Sequence, residues 1–213
     1  MPLLVPVAHQ KGGVGKSSLS INLAAYFTLE GISCAVVDAD VQGSITTLVN
    51  AFGENNKYGA VNLIPRNAFK SFSDLKNIED YQILLIDTPP YLSTNLTEIF
   101  QISDYVLVPT KPAVFDMFAI EGTIQMIQEA QALNPNLKTG VVINMSNAHS
   151  THNSEIRKVI EDKGVYCFKT EVRKRVEFER CLGYHDSIFS TSDEKAKGEI
   201  RALGNELFDR LEQ

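Results

Sequence analysis

A glycine-rich segment near the beginning of the chain limits the possible folds more than any other feature of the sequence. The segment reads Gln10-Lys11-Gly12-Gly13-Val14-Gly15-Lys16-Ser17-Ser18. It follows the apolar run 3–8 and precedes residues 19–27, where apolar side chains recur at helical spacing. A strand, a glycine turn and the start of a helix form the setting of a phosphate-binding loop, because glycines let backbone N–H groups approach a polyphosphate.

Two polar side chains of this loop point to a nucleotide bound together with a divalent cation. Lys16 is expected to reach the terminal phosphates, and the Ser17 hydroxyl is expected to hold Mg²⁺. The other loop residues expected to line the nucleotide are Lys11, Gly12, Gly13, Val14, Gly15 and Ser18. The loop departs from the G-x-x-x-x-G-K-[ST] pattern, because Gln10 stands at the first glycine position and an extra lysine precedes the double glycine.

Carboxylates follow two further apolar runs. Asp38 ends the apolar run 34–38, and Asp40 follows it by two residues. Asp87 ends the apolar run 83–87. Asp87 stands where a phosphate-binding ATPase places the carboxylate that engages Mg²⁺. A simple polar turn is the alternative interpretation of the segment with Asp38 and Asp40. The Thr-Pro-Pro sequence after Asp87 stiffens its loop, because proline fixes φ and restricts the preceding residue.

Short apolar runs alternate with helical patterns along the 213 residues, which suffice for one domain with a sizeable core. Strands are predicted at residues 3–8, 34–38, 83–87, 105–109, 140–144 and 165–168, and helices at 17–30, 115–133, 154–163, 172–181 and 192–211. Residues 53–80 are predicted to form loops and short elements over one edge. The order predicts an α/β fold with a doubly wound, mostly parallel sheet, helices on both faces and the ligand at the carboxyl ends of the strands.

The net charge of −6 argues against a protein whose whole surface coats nucleic acid, but it leaves room for a local basic patch. The candidate patch consists of Lys169, Arg173, Lys174 and Arg175, with Arg201 as a weaker addition. An ordinary solvated face is the alternative interpretation.

The three widely spaced cysteines Cys34, Cys167 and Cys181 indicate reduced thiols, and the sequence shows neither a signal-peptide pattern nor a run approaching the ~18 apolar residues of a membrane span. These features predict a cytoplasmic protein.

The variant loop, K-G-G-x-G-K-[ST], resembles the deviant Walker A loop of the ParA/MinD ATPase superfamily. Four further segments extend the resemblance. Val36–Ser44 is similar to the D-x-D-P-Q-G segment, with Val41 in place of proline, and Asp87-Thr88-Pro89-Pro90 looks like the D-T-P-P of ParA proteins. Val106–Pro112 resembles V-x-V-P-x-x-P, and Val172–Phe178 resembles I-P-x-R-V-x-F with Arg173 in place of proline. The resemblance implies that the chain is a P-loop ATPase of the ParA type.

The resemblance also implies roles for individual residues. Asp40 would orient the attacking water, and Asp38 would help to hold the hydration shell of Mg²⁺. Asn144 matches the position of an adenine-recognising asparagine, for which a strand-end cap is the alternative. Lys11 would reach across a homodimer and stabilise charge on the partner's phosphates, in the manner of an arginine finger.

At the level of function, the resemblance implies an ATP-hydrolysing switch that positions a plasmid, a chromosome or another cargo. The ATP-bound homodimer would bind DNA non-specifically through the basic patch, associate with the nucleoid, and hydrolyse ATP when a ParB-like adaptor stimulates it. No helix-turn-helix extension precedes the loop, so operator recognition is not expected.

The alternatives are a MinD-like membrane-cycling regulator and an ATP-coupled electron carrier or metallochaperone. The mixed charges of residues 194–213 favour packing of this helix on the core over membrane binding, and His149 with His152 lacks a third zinc ligand.

Overall fold

The computed structural model describes residues 1–40, 43–52, 57–90, 94–147, 151–184 and 186–213. The strands are β1 (Leu3–Val7), β2 (Cys34–Asp38), β3 (Lys57–Tyr58), β4 (Val61–Ile64), β5 (Ile83–Asp87), β6 (Tyr105–Thr110), β7 (Lys138–Ser146) and β8 (Tyr166–Arg173). The helices are α1 (Lys16–Leu29), α2 (Ser44–Phe52), α3 (Thr94–Ile102), α4 (Val114–Gln131), α5 (Thr151–Asp162), α6 (Glu177–Tyr184) and α7 (Glu194–Glu212). Within these ranges, three short 3₁₀ helices span Arg66–Ala68, Phe72–Asn77 and Ile188–Ser190.

The strands of the described residues form one eight-stranded sheet in the order β3-β4-β2-β5-β1-β6-β7-β8. Neighbouring strands are parallel except for the hairpin β3–β4 at one edge. Strands β2, β5 and β6 are buried along their whole length, which explains why their sequences are apolar at consecutive rather than alternate positions. The predicted doubly wound, mostly parallel α/β fold is confirmed.

Helices cover both faces of the sheet, and alternate strand residues contact opposite layers. In β5, Ile83 and Leu85 pack toward the layer with α1, α2, α6 and α7, whereas Leu84 and Ile86 pack toward α3, α4 and α5. Full burial of one such side chain stabilises the fold by roughly 1.5–3 kcal/mol. The parallel strands between these two apolar layers therefore end at one common carboxyl edge, where the polar loops lie.

The predicted helix 172–181 is wrong in its first part. Val172 and Arg173 extend β8, and α6 begins only at Glu177. The backbone of these two residues pairs with β7, and the Arg173 N–H also donates to Glu199 of α7 at 3.0 Å. Contacts with distant elements thus decide the conformation of a basic stretch that looks helical in isolation.

Helices α2 and α3 were not predicted from the sequence, and strands β3 and β4 were predicted only as unspecified short elements. The α2 sequence, Ser-Ile-Thr-Thr-Leu-Val-Asn-Ala-Phe, contains β-branched residues with low helix propensity, so its helical state depends on a cap and on tertiary packing. Strand β4 and two 3₁₀ helices lie within the region 53–80, which confirms short elements near a sheet edge there. Residues 53–56 of that region lie outside the described residues.

The C-terminal helix α7 packs on the core, as predicted. Its apolar residues Ala196, Ile200, Leu203 and Leu207 are buried beside α1 and β8. Cys34, Cys167 and Cys181 are buried free thiols. Across the described ranges, no helix combines the length and the apolar character that crossing a bilayer would require.

Two glycines of α7 provide a matched test of its packing against α1. A Cβ at Gly204 would lie 2.2 Å from the Tyr26 ring, whereas a Cβ at Gly198 would meet nothing within 4 Å. We expect Gly204→Ala to lower the free energy of unfolding by about 1–3 kcal/mol, because the ring must move. Gly198→Ala should raise it by up to about 1 kcal/mol, because alanine favours the helix. Urea unfolding followed by circular dichroism measures both, and equal stability of the two variants would contradict the close packing.

Candidate nucleotide site

The glycine-rich loop lies where the connections of two neighbouring strands leave in opposite directions. Strand β1 continues through α1 to β2 on one side of the sheet, and its neighbour β6 continues through α4 to β7 on the other side. Open α/β sheets bind their ligands in the crevice at such a point, outside the carboxyl ends of the strands. The fold therefore places the loop at the favoured ligand position.

The loop conformation requires glycine at Gly13 and Gly15, which have φ angles of +71° and +91°. At Gly15 the requirement is double, because a Cβ there would lie 2.3 Å from Nδ2 of Asn144. The same Asn144 nitrogen donates a hydrogen bond to the Val14 carbonyl at 2.7 Å. Asn144 lies inside β7, which continues to Ser146 rather than ending at residue 144 as predicted. Its side chain fixes the loop from the neighbouring strand, and the adenine contact remains a prediction.

Lys16 and Ser17 begin α1 directly after the loop. The Lys16 side chain is buried, and this burial lowers its pKa, while the nearby carboxylates of Asp87 and Asp40 act in the opposite direction. The Ser17 hydroxyl donates a hydrogen bond to Oδ2 of Asp87 at 2.6 Å. The predicted phosphate lysine, metal-binding serine and strand-end aspartate are thus brought together.

Asp87 has an environment that suits a metal cation. It is register partner to Asp38 on the neighbouring strand β2, and burial raises the pKa of Asp87 to about 7. Its Oδ1 atom is buried without a hydrogen-bond partner among the described residues. Mg²⁺ prefers oxygen ligands, so Asp87 and the Ser17 hydroxyl fit this ion.

Asp38 orders the backbone beside the site. Its Oδ2 accepts hydrogen bonds from the N–H and the hydroxyl of Thr46 at 2.8 and 2.6 Å, and its Oδ1 accepts the N–H of Asp40 at 3.2 Å. These bonds hold the first turn of α2 and the partly exposed Asp40 near the mouth of the crevice. The contribution of Asp38 to a metal hydration shell remains a prediction, and Val41 and Gln42 lie outside the described residues.

Lys11 is turned toward α4 in the single chain. Its Nζ lies 3.0 Å from Oδ1 of Asp116, a buried carboxylate in the first turn of α4. Its backbone N–H donates to Nδ1 of the buried His9 at 2.9 Å. The sequence interpretation gave His9 and Asp116 no functional role, because neither belongs to the loop motif and only the fold brings both beside Lys11.

A cavity of about 120 Å³ opens beside Ser18, at the other end of the loop. Asn144 and Met145 of β7 form one wall, and Phe178 of α6 contributes to another. The residues of the basic patch that line this cavity are Arg173, Lys174 and Arg175. Three of the four predicted DNA-binding residues therefore line this cavity.

The members of the basic patch differ in their exposure. Arg175 donates to Glu199 at 2.6 Å and lies 3.7 Å from Asp193, and the hydrogen bond with Glu199 raises the pKa of Arg175. Lys169, Arg173 and Lys174 are exposed at the surface, although Nε of Arg173 lies 3.9 Å from the same Glu199. The exposed residues are consequently the ones that a DNA backbone could reach.

The buried His9 predicts a specific loss of stability in acid. Burial lowers the pKa of His9 from 6.5 to about 4, so the folded protein binds fewer protons than the unfolded chain between these values. Stability present above pH 6.5 should therefore fall as the pH drops, by about 2 kcal/mol at pH 5. We expect His9→Asn, whose Oδ1 can still accept the Lys11 N–H, to remove this part of the pH dependence. Urea unfolding at pH 7 and pH 5 tests it, with the exposed His152→Asn as a control that should behave like the wild type.

Comparison with known proteins assigns the chain to a family. Residues 5–188 match the CobQ/CobB/MinD/ParA nucleotide binding domain. The chain is 30% identical over 205 residues to maintenance of carboxysome distribution protein A of Halothiobacillus neapolitanus, covering 94% of each protein. It is 28% identical over 170 residues to chromosome-partitioning ATPase Soj of Thermus thermophilus, covering 66% of this chain and 68% of Soj.

A solved structure agrees with this assignment at the level of the fold. A plasmid partition protein of Borrelia burgdorferi bound to AMPPNP superimposes with a TM-score of 0.78 at 19% identity, covering 99% of this chain and 100% of the other. Because the sequence match spans most of the chain and includes the phosphate loop, the protein belongs to the CobQ/CobB/MinD/ParA nucleotide-binding domain family.

Proposed function

We propose that this protein is a ParA-type ATPase that acts as a nucleotide-dependent switch in positioning a cargo. The observation that carries the proposal is the group formed by Lys16, Ser17 and Asp87. The Ser17–Asp87 hydrogen bond lies next to a buried carboxylate oxygen that has no hydrogen-bond partner in the described part of the chain, and the loop before Ser17 contains left-handed glycines. This arrangement provides for phosphates and for Mg²⁺ at one edge of the sheet.

In the proposed binding mode, the loop N–H groups and the N-terminus of α1 receive the phosphates, and Lys16 reaches their terminal oxygens. Ser17 and Asp87 would hold Mg²⁺, which neutralises charge that develops on the phosphate oxygens. The cavity beside Ser18 would receive the base. The bound AMPPNP of the Borrelia burgdorferi protein supports ATP as the nucleotide.

Asp40 is the proposed residue that orients the attacking water. Its backbone N–H is held by Asp38, while its side chain is partly exposed at the mouth of the crevice. A carboxylate in this position can accept a proton from a water molecule and align it with the terminal phosphate.

Lys11 connects hydrolysis to the meeting of two chains. In the single chain its ammonium is paired with Asp116 at 3.0 Å, although 44% of the side chain is exposed. We propose that a homodimer forms when ATP is bound, and that Lys11 then leaves Asp116 to contact the partner's phosphates. Hydrolysis would stay slow until a ParB-like adaptor favours this arrangement.

The cargo is proposed from the relatives. Their names refer to carboxysome distribution, chromosome partitioning and plasmid partition, and each describes the placement of a large object. The exposed residues Lys169, Arg173 and Lys174 would bind DNA non-specifically and keep the ATP-bound dimer on the nucleoid. Packing of the apolar side of α7 in the core favours this proposal over a membrane-cycling regulator.

Paired variants of Lys16 and Asp40 test the ATPase proposal. Lys16→Ala should abolish nucleotide binding, because the terminal phosphates lose their buried cation. Asp40→Ala should keep binding and lower hydrolysis by roughly 100-fold or more. Phosphate release and titration with a fluorescent ATP analogue measure the two steps, with the exposed Asp80→Ala as control. Normal turnover by the Asp40→Ala protein would contradict the water-orienting role.

Lys169→Glu and Lys174→Glu test the DNA surface. Each change should weaken ATP-dependent DNA binding and reduce the salt dependence by roughly one phosphate contact. Lys169 is the more informative position, because Lys174 also lines the cavity beside Ser18. Nucleotide binding is measured in parallel, and Lys158→Glu on α5 serves as the charge-matched control. An unchanged DNA affinity of both variants at moderate salt would rule out this surface.

A further inference from the structure

A lysine outside the glycine-rich loop lies directly over it. Lys111 follows β6 and precedes α4, so it belongs to the second of the two connections that diverge at the site. Its Nζ lies 3.7 Å from the position that a Cβ on Gly13 would occupy. The ammonium group of Lys111 therefore lies close to the loop at Gly13.

The charges around the loop distinguish Lys111 from the other two cations. Lys11 is paired with Asp116, and the buried Lys16 interacts with Asp87 and Asp40. Among the residues that the structure describes, no carboxylate forms an ion pair with the Lys111 ammonium. Lys111 consequently has a positive charge at the loop that is available to an anion.

The backbone around Lys111 is held in place. Its carbonyl accepts the N–H of Ala113 at 2.8 Å, and Pro112 restricts the conformation of the residue before it. A fixed backbone lowers the conformational entropy that the side chain loses when it binds a ligand. Lys111 is thus presented to the loop by a short, ordered connection between β6 and α4.

The position of Lys111 along the loop indicates which part of a nucleotide it meets. Ser18 lines the cavity proposed for the base, at one end of the loop. Gly12, at the other end, lies next to Pro90, which follows the Asp87 segment; a Cβ on Gly12 would be 3.6 Å from Cβ of Pro90. Since the phosphate chain extends away from the base, Gly13 and Lys111 are at the end of the loop that faces the terminal phosphate.

We propose that Lys111 binds the terminal phosphate of ATP from within the same chain and makes the site selective for the triphosphate over the diphosphate. The inference rests on the proposed nucleotide site and adds a residue that lies outside the loop motif. It also assigns different tasks to the lysines. Lys111 remains with its own nucleotide, while Lys11, held by Asp116, is reserved for the partner's.

Calorimetric titration of the full chain with Mg²⁺ and either AMPPNP or ADP tests the proposal. Lys111→Met should weaken AMPPNP binding roughly 10- to 100-fold, as expected for loss of a charge-assisted hydrogen bond, and ADP binding less than about 3-fold. Lys111→Arg should retain most of the AMPPNP affinity. Lys158→Met, an exposed change on α5, is the matched control and should bind both nucleotides as the wild type does.

Each contrary result has a distinct meaning. Unchanged AMPPNP affinity in Lys111→Met, or an equal loss for AMPPNP and ADP, would overturn the terminal-phosphate role. Circular dichroism checks the fold of each variant, and Lys111→Gln gives a second neutral side chain at the same position. Failure of the wild-type chain to bind AMPPNP would instead overturn the proposed function.

Discussion

Burial of the Asp87 carboxylate is the constraint on which the site depends. Asp87 ends a strand that is covered on both faces, and its register partner Asp38 ends the neighbouring strand. Isolated carboxylates in such an environment favour the protonated form, as the raised pKa of Asp87 shows. The Ser17 hydroxyl and the nearby Lys16 partly compensate for the buried charge. Mg²⁺ with a polyphosphate would complete this compensation, so the buried charge of Asp87 would contribute directly to ligand binding.

The lysines around the loop differ in burial and in their ion-pair partners, and this difference relates the proposed nucleotide binding to the proposed dimer. Lys16 is buried in the site, whereas Lys11 is paired with Asp116 and must exchange that partner for another anion before it can act elsewhere. In the single chain, the Lys11 ammonium is therefore held at α4 by Asp116. The proposed dimer and the proposed role of Lys111 both follow from this distribution of charge.

The cavity proposed for the base and the basic surface share residues. Arg173 and Lys174 line the cavity and are exposed to solvent, while Arg175 is bound to Glu199 of α7. A change in this segment on nucleotide binding would therefore alter the surface proposed for DNA. The same residues would therefore connect base binding with the proposed DNA surface. Lys169 does not line the cavity, so a change at Lys169 tests DNA contacts separately from nucleotide binding.

The sequence alone determined the doubly wound, mostly parallel fold class, the glycine-rich loop and the strand-end carboxylates, because consecutive apolar residues, glycines before Lys16 and aspartates after apolar runs are local signals. It also indicated that α7 packs on the core. Tertiary contacts decided the rest: pairing with β7 turned Val172 and Arg173 into strand, and the bonds from Thr46 to Asp38 supported a helix with weak propensity. The ion pair of Lys11 with Asp116 and the proximity of Lys111 to Gly13 involve residues about 100 positions apart in the chain. No local pattern encodes such contacts, since only the assembled sheet brings the connection after β6 beside the loop after β1.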